Sequence, residues 1–110
     1  MTMLEREIER ILVDEMKKLG GRAYKWTSPG NAGVPDRIVI FPGEPPVFVE
    51  LKRAGGVPTA IQMAQMRRLE VLGQRVEVVY GIAGLVKFFR AYGHPEIAND
   101  ILAGLGSGER

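Results

Sequence analysis

The sequence predicts an α/β domain with a mixed central sheet flanked by helices, in the order α-β-β-β-α-β-α. Three observations carry this. A helical stripe at the N-terminus gives way to strands of alternating polarity. Two of those strands are joined by a connection so short that they must pair antiparallel. A helix-length segment then leads to another apolar strand, which is how a chain crosses to a new position in a sheet. At 110 residues, with 45% from the set AVILMFWYC and 25% charged, a single folded domain is expected. Two domains would each be too small to bury a good core. The domain is expected over 1–103, with 104–110 a frayed, flexible tail and no appended domain.

Each element has its own signals. Residues 3–19 place Leu4, Ile8, Ile11, Leu12, Met16 and Leu19 on one helical stripe. Thr2 is the expected N-cap, with Glu5 completing a capping box, and Gly20-Gly21 is the stop. Residues 23–27 form a short strand with Tyr24 and Trp26 on one face. Residues 28–35, rich in Gly and Pro, must be loop or turns. Residues 36–41 are a strand bounded by Pro42-Gly43, and 47–52 alternate cleanly. Val47, Val49 and Leu51 take one face of that strand, and Phe48, Glu50 and Lys52 the other. After a second Gly-rich loop, Thr59 caps a helix over 60–72 that ends at Gly73. A strand over 75–80, a helix over 85–92 and a last helix over 95–102 complete the order. No internal repeat is present.

Composition narrows the chemistry. The chain has no cysteine, which excludes disulfides, thiolate metal sites and cysteine nucleophiles. Its single histidine, His94, reads as a surface residue and almost excludes Ser-His and multi-histidine sites. Any catalysis must then run on carboxylates, lysine and a hard cation. Net charge is +2, and ten of the fifteen cations are arginines, which suit phosphate but also an ordinary mixed surface. No apolar run approaches a membrane span, and the charged first ten residues are no signal peptide. The expectation is an intracellular, cytoplasmic protein.

One constellation stands out. Glu50 and Lys52 share a strand face with Phe48, where charge is costly unless paired or bound to an ion. The short hairpin connection brings Asp36, at the start of one strand, to the end of the other. Two carboxylates and a lysine can hold Mg²⁺ or Mn²⁺, activate water and offset charge on a phosphate. A strand-end ion pair with Asp36 as a turn residue after Pro35 is the alternative.

The residues also carry a family likeness. Pro35-Asp36, thirteen intervening residues and Glu50-Leu51-Lys52 resemble the signature of the PD-(D/E)XK nucleases, whose α-β-β-β-α-β core is restriction-endonuclease-like. The wider set is more specific. Leu19-Gly20-Gly21, Lys25-Trp26-Thr27-Ser28-Pro29-Gly30-Asn31-Ala32-Gly33-Val34-Pro35-Asp36-Arg37, Phe48-Val49-Glu50-Leu51-Lys52, Gln62 and Leu72-Gly73 resemble the VRR-NUC family, the virus-type replication-repair nuclease domain. The likeness spans about residues 4–90 and is to the stand-alone form found in phages and bacteria.

That resemblance implies a Mg²⁺- or Mn²⁺-dependent DNA endonuclease. Asp36 and Glu50 would be metal ligands, with the Leu51 carbonyl a third and Lys52 the catalytic lysine. Gln62 would match the family glutamine near the metal. A glutamate of the first helix completes the set; Glu5 matches best, then Glu9, while Glu7 points elsewhere. Lys25, Ser28, Asn31, Arg53, Arg67 and Arg68 are candidate DNA contacts. Stand-alone members resemble Holliday-junction resolvases, so branched DNA and a homodimer are expected. Met63 and Met66 read as core or dimer packing. The competing classes are a non-catalytic DNA-binding module of the same fold and a flap or nicking nuclease.

Overall fold

The computed structural model describes residues 3–107. Eight elements follow one another: α1 (Glu5–Leu19), β1 (Arg22–Lys25), β2 (Arg37–Ile40), β3 (Val47–Lys52), α2 (Ala60–Val71), β4 (Arg75–Tyr80), α3 (Gly81–Ala91) and α4 (Pro95–Ser107). The strands form one sheet in the order β1-β2-β3-β4. The first two pairings are antiparallel and β3 pairs parallel with β4, because α2 carries the chain across. This is the mixed α/β architecture that the sequence predicts.

Alternation in the strands decides the two faces. Ala23, Val39, Val47, Val49, Leu51 and Val79 point into a core closed by Ile8, Ile11, Leu12 and Met16 of α1 and by Leu85, Val86, Phe88 and Phe89 of α3. Ile97, Ala98 and Ile101 of α4 extend that core. The other face carries Phe48, Glu50 and Lys52 and is covered only in part. There α2 lies beside β4, and Met63, Met66, Val76 and Val78 line one shallow groove between them. Met66 is buried whereas Met63 is half exposed, so the pair splits between packing and surface.

Several expectations change. The first helix begins at Glu5 with Leu4 at the N-cap and no side-chain capping bond, and Thr2 lies outside the described residues. The third helix starts four residues early, at Gly81, and α4 runs on to Ser107, so helix continues through most of the segment expected as a tail. Ile101 is fully buried, which anchors that helix beyond its first turns. His94 is not a free surface residue. Its ring stacks on Phe41 at 4.9 Å, and its Nδ1 lies 3.2 Å from Glu96. Aromatic stacking across 53 residues of chain leaves no local sequence signal.

One glycine fixes the approach to the face that carries Glu50. Gly33 has φ +86°, and a Cβ there would lie 2.5 Å from Ile61 Cγ2 and 3.0 Å from the Ile61 carbonyl carbon. The loop before Asp36 thus seats directly on the first turn of α2. Gln65 secures the seat by donating from Nε2 to the Ala32 carbonyl at 3.1 Å. Gly33→Ala is expected to lower stability by about 1–2 kcal/mol from the left-handed backbone alone, with the Ile61 clash added. Urea unfolding monitored by Trp26 emission measures it, and an unchanged midpoint would show that the loop seats elsewhere.

Candidate active site

The hairpin brings together the residues that sequence spacing singles out. β2 pairs with β3 so that Arg37 faces Val49, and one step further Asp36 falls opposite Glu50. The Leu51 backbone N–H donates to Asp36 Oδ2 at 2.8 Å, which fixes that carboxylate against β3. Glu50 is 1% exposed. Its Oε2 lies 3.3 Å from Lys52 Nζ, two residues along the same strand face. Apart from that ammonium, neither Glu50 oxygen meets a hydrogen-bond donor among the described residues.

Burying a carboxylate without donors disfavours its charge. Burial, reinforced by the neighbouring Asp36, pushes the Glu50 carboxyl up to about 7, against the opposing pull of Lys52. Burial also raises Asp36, less strongly, because the Leu51 N–H stabilises its ionised form. The Glu9 charge raises it further, whereas Lys52 and Lys25 lower it. The site thus sets a buried Glu50 against a half-buried Asp36, with one ammonium, Lys52, beside them.

The first helix supplies acids in two different ways. Glu9 accepts from Arg37 Nε at 2.9 Å, and Arg37 Nη1 donates to the Ala23 carbonyl at 3.0 Å. Glu9 is therefore held in a strut between α1 and the sheet. Glu5 is exposed and in no ion pair among the described residues, yet its charge acts on Glu50. The Glu9–Arg37 strut was not singled out from sequence. Its signal was present: strand alternation puts Arg37 on the core face with Val39 and Phe41, where a cation needs a partner from α1.

Other candidates lie further out. Gln62 sits at the third position of α2, where its Oε1 accepts from the Thr59 N–H at 2.9 Å and its own N–H donates to Thr59 Oγ1 at 3.2 Å. This capping box occupies its carbonyl oxygen, and the side chain makes no hydrogen bond to Asp36, Glu50 or Lys52. Asn31 and Ser28 bond to each other within one turn, Nδ2 to Oγ at 3.0 Å. Lys25 and Arg53 are exposed near the carboxylates in sequence and fold, whereas Arg67 and Arg68 lie on the outer surface of α2. No group of three or more His, Cys, Asp or Glu residues able to hold a metal ion is found among the described residues. No helix among them is long and apolar enough to cross a membrane.

No family model matches the chain. It is, however, 48% identical over 75 residues to a protein of Acyrthosiphon pisum secondary endosymbiont phage 1 named "Putative nuclease p44". That match covers 68% of this chain and 81% of the phage protein. A solved VRR_NUC domain superposes with a TM-score of 0.75 at 28% identity, over 80% of this chain and 96% of that one. A second solved VRR_NUC domain protein is similar in fold, with a TM-score of 0.66 at 19% identity over 83% and 88% of the two chains. Agreement of a named nuclease relative, the shared fold and the acidic pair beside Lys52 shows that the chain belongs to the VRR-NUC nuclease family.

Proposed function

We propose that this nuclease is a divalent-metal-dependent DNA endonuclease, selective for branched DNA and acting as a homodimer. The observation that carries the metal site is Glu50. Both of its oxygens are buried opposite Asp36, and the Lys52 ammonium, 3.3 Å from Oε2, is the one charged donor they meet among the described residues. Mg²⁺ is commonly held by one or two carboxylates and keeps several waters, so this pair is a sufficient donor set for Mg²⁺ or Mn²⁺. The Leu51 carbonyl, between Glu50 and Lys52 in the chain, is the backbone candidate to join it.

When bound, such an ion lowers the pKa of water and stabilises charge on the phosphate. The chain's own residues do the rest. Asp36 and Glu50 would hold the ion. Lys52, only 13% exposed, orients the attacking water and offsets the charge developing on the phosphate. Water attacks phosphorus in line, the P–O3′ bond breaks, and a 5′ phosphate and a 3′ hydroxyl result. Glu5 adds negative charge from the helix side, and Gln62 keeps its Nε2 available at the first turn of α2. Lys25, Ser28, Asn31 and Arg53 take phosphates on either side, and Arg67 and Arg68 extend that track.

The homodimer reading rests on α2. Ile61, Met63 and Val71 of α2 and Leu72 at its C-cap are all exposed, on the side of the edge strand β4. A stable interface covers about 800 Å² per partner, roughly an eighth of the 6579 Å² surface. The direct test is cleavage of labelled four-way junction, flap, nicked and continuous duplex DNA with Mg²⁺, Mn²⁺ or chelator, together with light scattering at micromolar protein. Paired cuts in the junction, loss of cutting in chelator and a dimeric mass are expected. A monomer with and without junction DNA would overturn the resolvase reading in favour of a flap or nicking nuclease.

A further inference from the structure

We propose that Tyr24 and Trp26, backed by Phe48, form a stacking platform for an unpaired base beside the scissile phosphate. The platform makes an exposed base the feature that selects the substrate. This rests on the nuclease reading of Asp36, Glu50 and Lys52 and adds what those residues alone do not specify.

The sheet register places the three aromatics. Tyr24 pairs with Ile38 and Ile38 with Phe48, so these side chains form one row across three strands. That row lies on the face of Glu50 and Lys52, since Phe48 precedes Glu50 by two residues. Trp26 returns to the same face two residues after Tyr24. Its N–H donates to the Asp36 carbonyl at 3.0 Å, so it stands one strand from Asp36, which stands one strand from Glu50. The Trp26 and Phe48 rings lie 5.2 Å apart, tilted by 53°, which holds Trp26 in place before any ligand arrives. Tyr24 is 55% exposed, while Trp26 and Phe48 are half-buried. Helix α1 packs on the opposite face, and Tyr24 stands exposed on β1, the terminal strand of the sheet.

Cross-strand neighbours on one face are about 5 Å apart. Any nucleotide whose phosphate rests on the acidic pair therefore lies within reach of Trp26. A base stacked inside continuous duplex offers only its edges to a protein. An unpaired base, or one at a branch point, offers its π-face, and aromatic side chains take it up with little regard to sequence. A protein partner is the weaker occupant. The apolar surface that self-association needs is concentrated on α2, at the other edge of the sheet, while these rings adjoin the carboxylates.

Trp26 is the sole tryptophan, so emission of the intact chain reads the platform directly. The protein is titrated in chelator with a duplex carrying one unpaired 2-aminopurine and with the same duplex fully paired. Quenching of Trp26 by the unpaired-base DNA and little by the duplex is expected. Tyr24→Ala is expected to lower the ratio of the two affinities roughly tenfold, within the range of one base–aromatic stack, and Tyr24→Phe to preserve it. Equal quenching by both DNAs, or an unchanged ratio in Tyr24→Ala, overturns the proposal. If Tyr24→Ala instead reduces the mass seen by light scattering with the ratio unchanged, the face serves self-association and the proposal also falls. Cleavage is not the readout, so a failure of the metal-site reading, seen as Asp36→Asn still cutting DNA, is separately recognisable.

Discussion

Glu50→Gln is expected to abolish most cleavage, by about 10²–10³-fold or more, and at the same time to stabilise the metal-free protein at alkaline pH. Both effects follow from one carboxylate that is buried, faces Asp36 and meets only the Lys52 ammonium in return. Its pKa is raised from 4.5 to about 7 in the folded chain. Between those values the folded state holds a proton that the unfolded state has released. Stability contributed by this group is therefore full below about pH 4.5 and is lost as pH rises to 7. At 1.36 kcal/mol per pH unit the loss is on the order of 3 kcal/mol, and the glutamine variant escapes it. Thermal melts in chelator should show the variant ahead by several degrees at pH 8 and level with the parent at pH 4.5. Added Mg²⁺ should stabilise the parent and leave the variant unmoved. Asp36→Asn should lose cleavage equally, with less gain in stability, because the Leu51 N–H favours the ionised aspartate it replaces. Either variant cleaving at the parental rate would remove that residue from the site.

Lys52→Ala is expected to lower turnover by about 10²-fold or more with a much smaller change in DNA affinity. Lys52 lies beside Glu50 on the innermost part of the face rather than along an outer phosphate track. An interaction made only with the developing charge lowers kcat and kcat/KM together, whereas a phosphate contact raises KM. Arg67→Ala or Arg68→Ala serve as the contrast. If they touch phosphate they weaken binding and reduce its salt slope by about one charge each. Single-turnover cleavage and binding at two salt concentrations separate the cases. Equal losses of affinity and turnover in Lys52→Ala would make it a phosphate contact only.

Much of this fold was legible in the amino-acid sequence because its signals are local. The period-2 pattern of residues 47–52 gave the strand bounds as observed, and the hairpin followed from the short Pro- and Gly-rich connection. Thr59 with Gln62 three positions on is the pattern of a capping box, and that box is formed. The juxtaposition of Asp36 with Glu50 and Lys52 was also readable, since an antiparallel pair of known register leaves little freedom at its ends.

What only the tertiary structure decided involves partners distant in sequence. Strand alternation placed Glu50 on a face but not its depth; its near-complete burial arises only once β3 is packed between β2 and β4. The choice among first-helix glutamates could not be made from periodicity, because the strut from Glu9 to Arg37 spans 28 residues and commits one of them. Gln62 looked like a site residue by motif, and the structure shows its oxygen committed to Thr59. The last helix outran its sequence signals because Ile101 is buried in the shared core, and packing extends a helix that local propensity would end. The row from Tyr24 through Ile38 to Phe48 exists only once three strands are in register. Sequence patterns thus set each element and its polarity, while depth of burial and long-range pairing, which fix the electrostatics of the carboxylates, arise only when the elements pack.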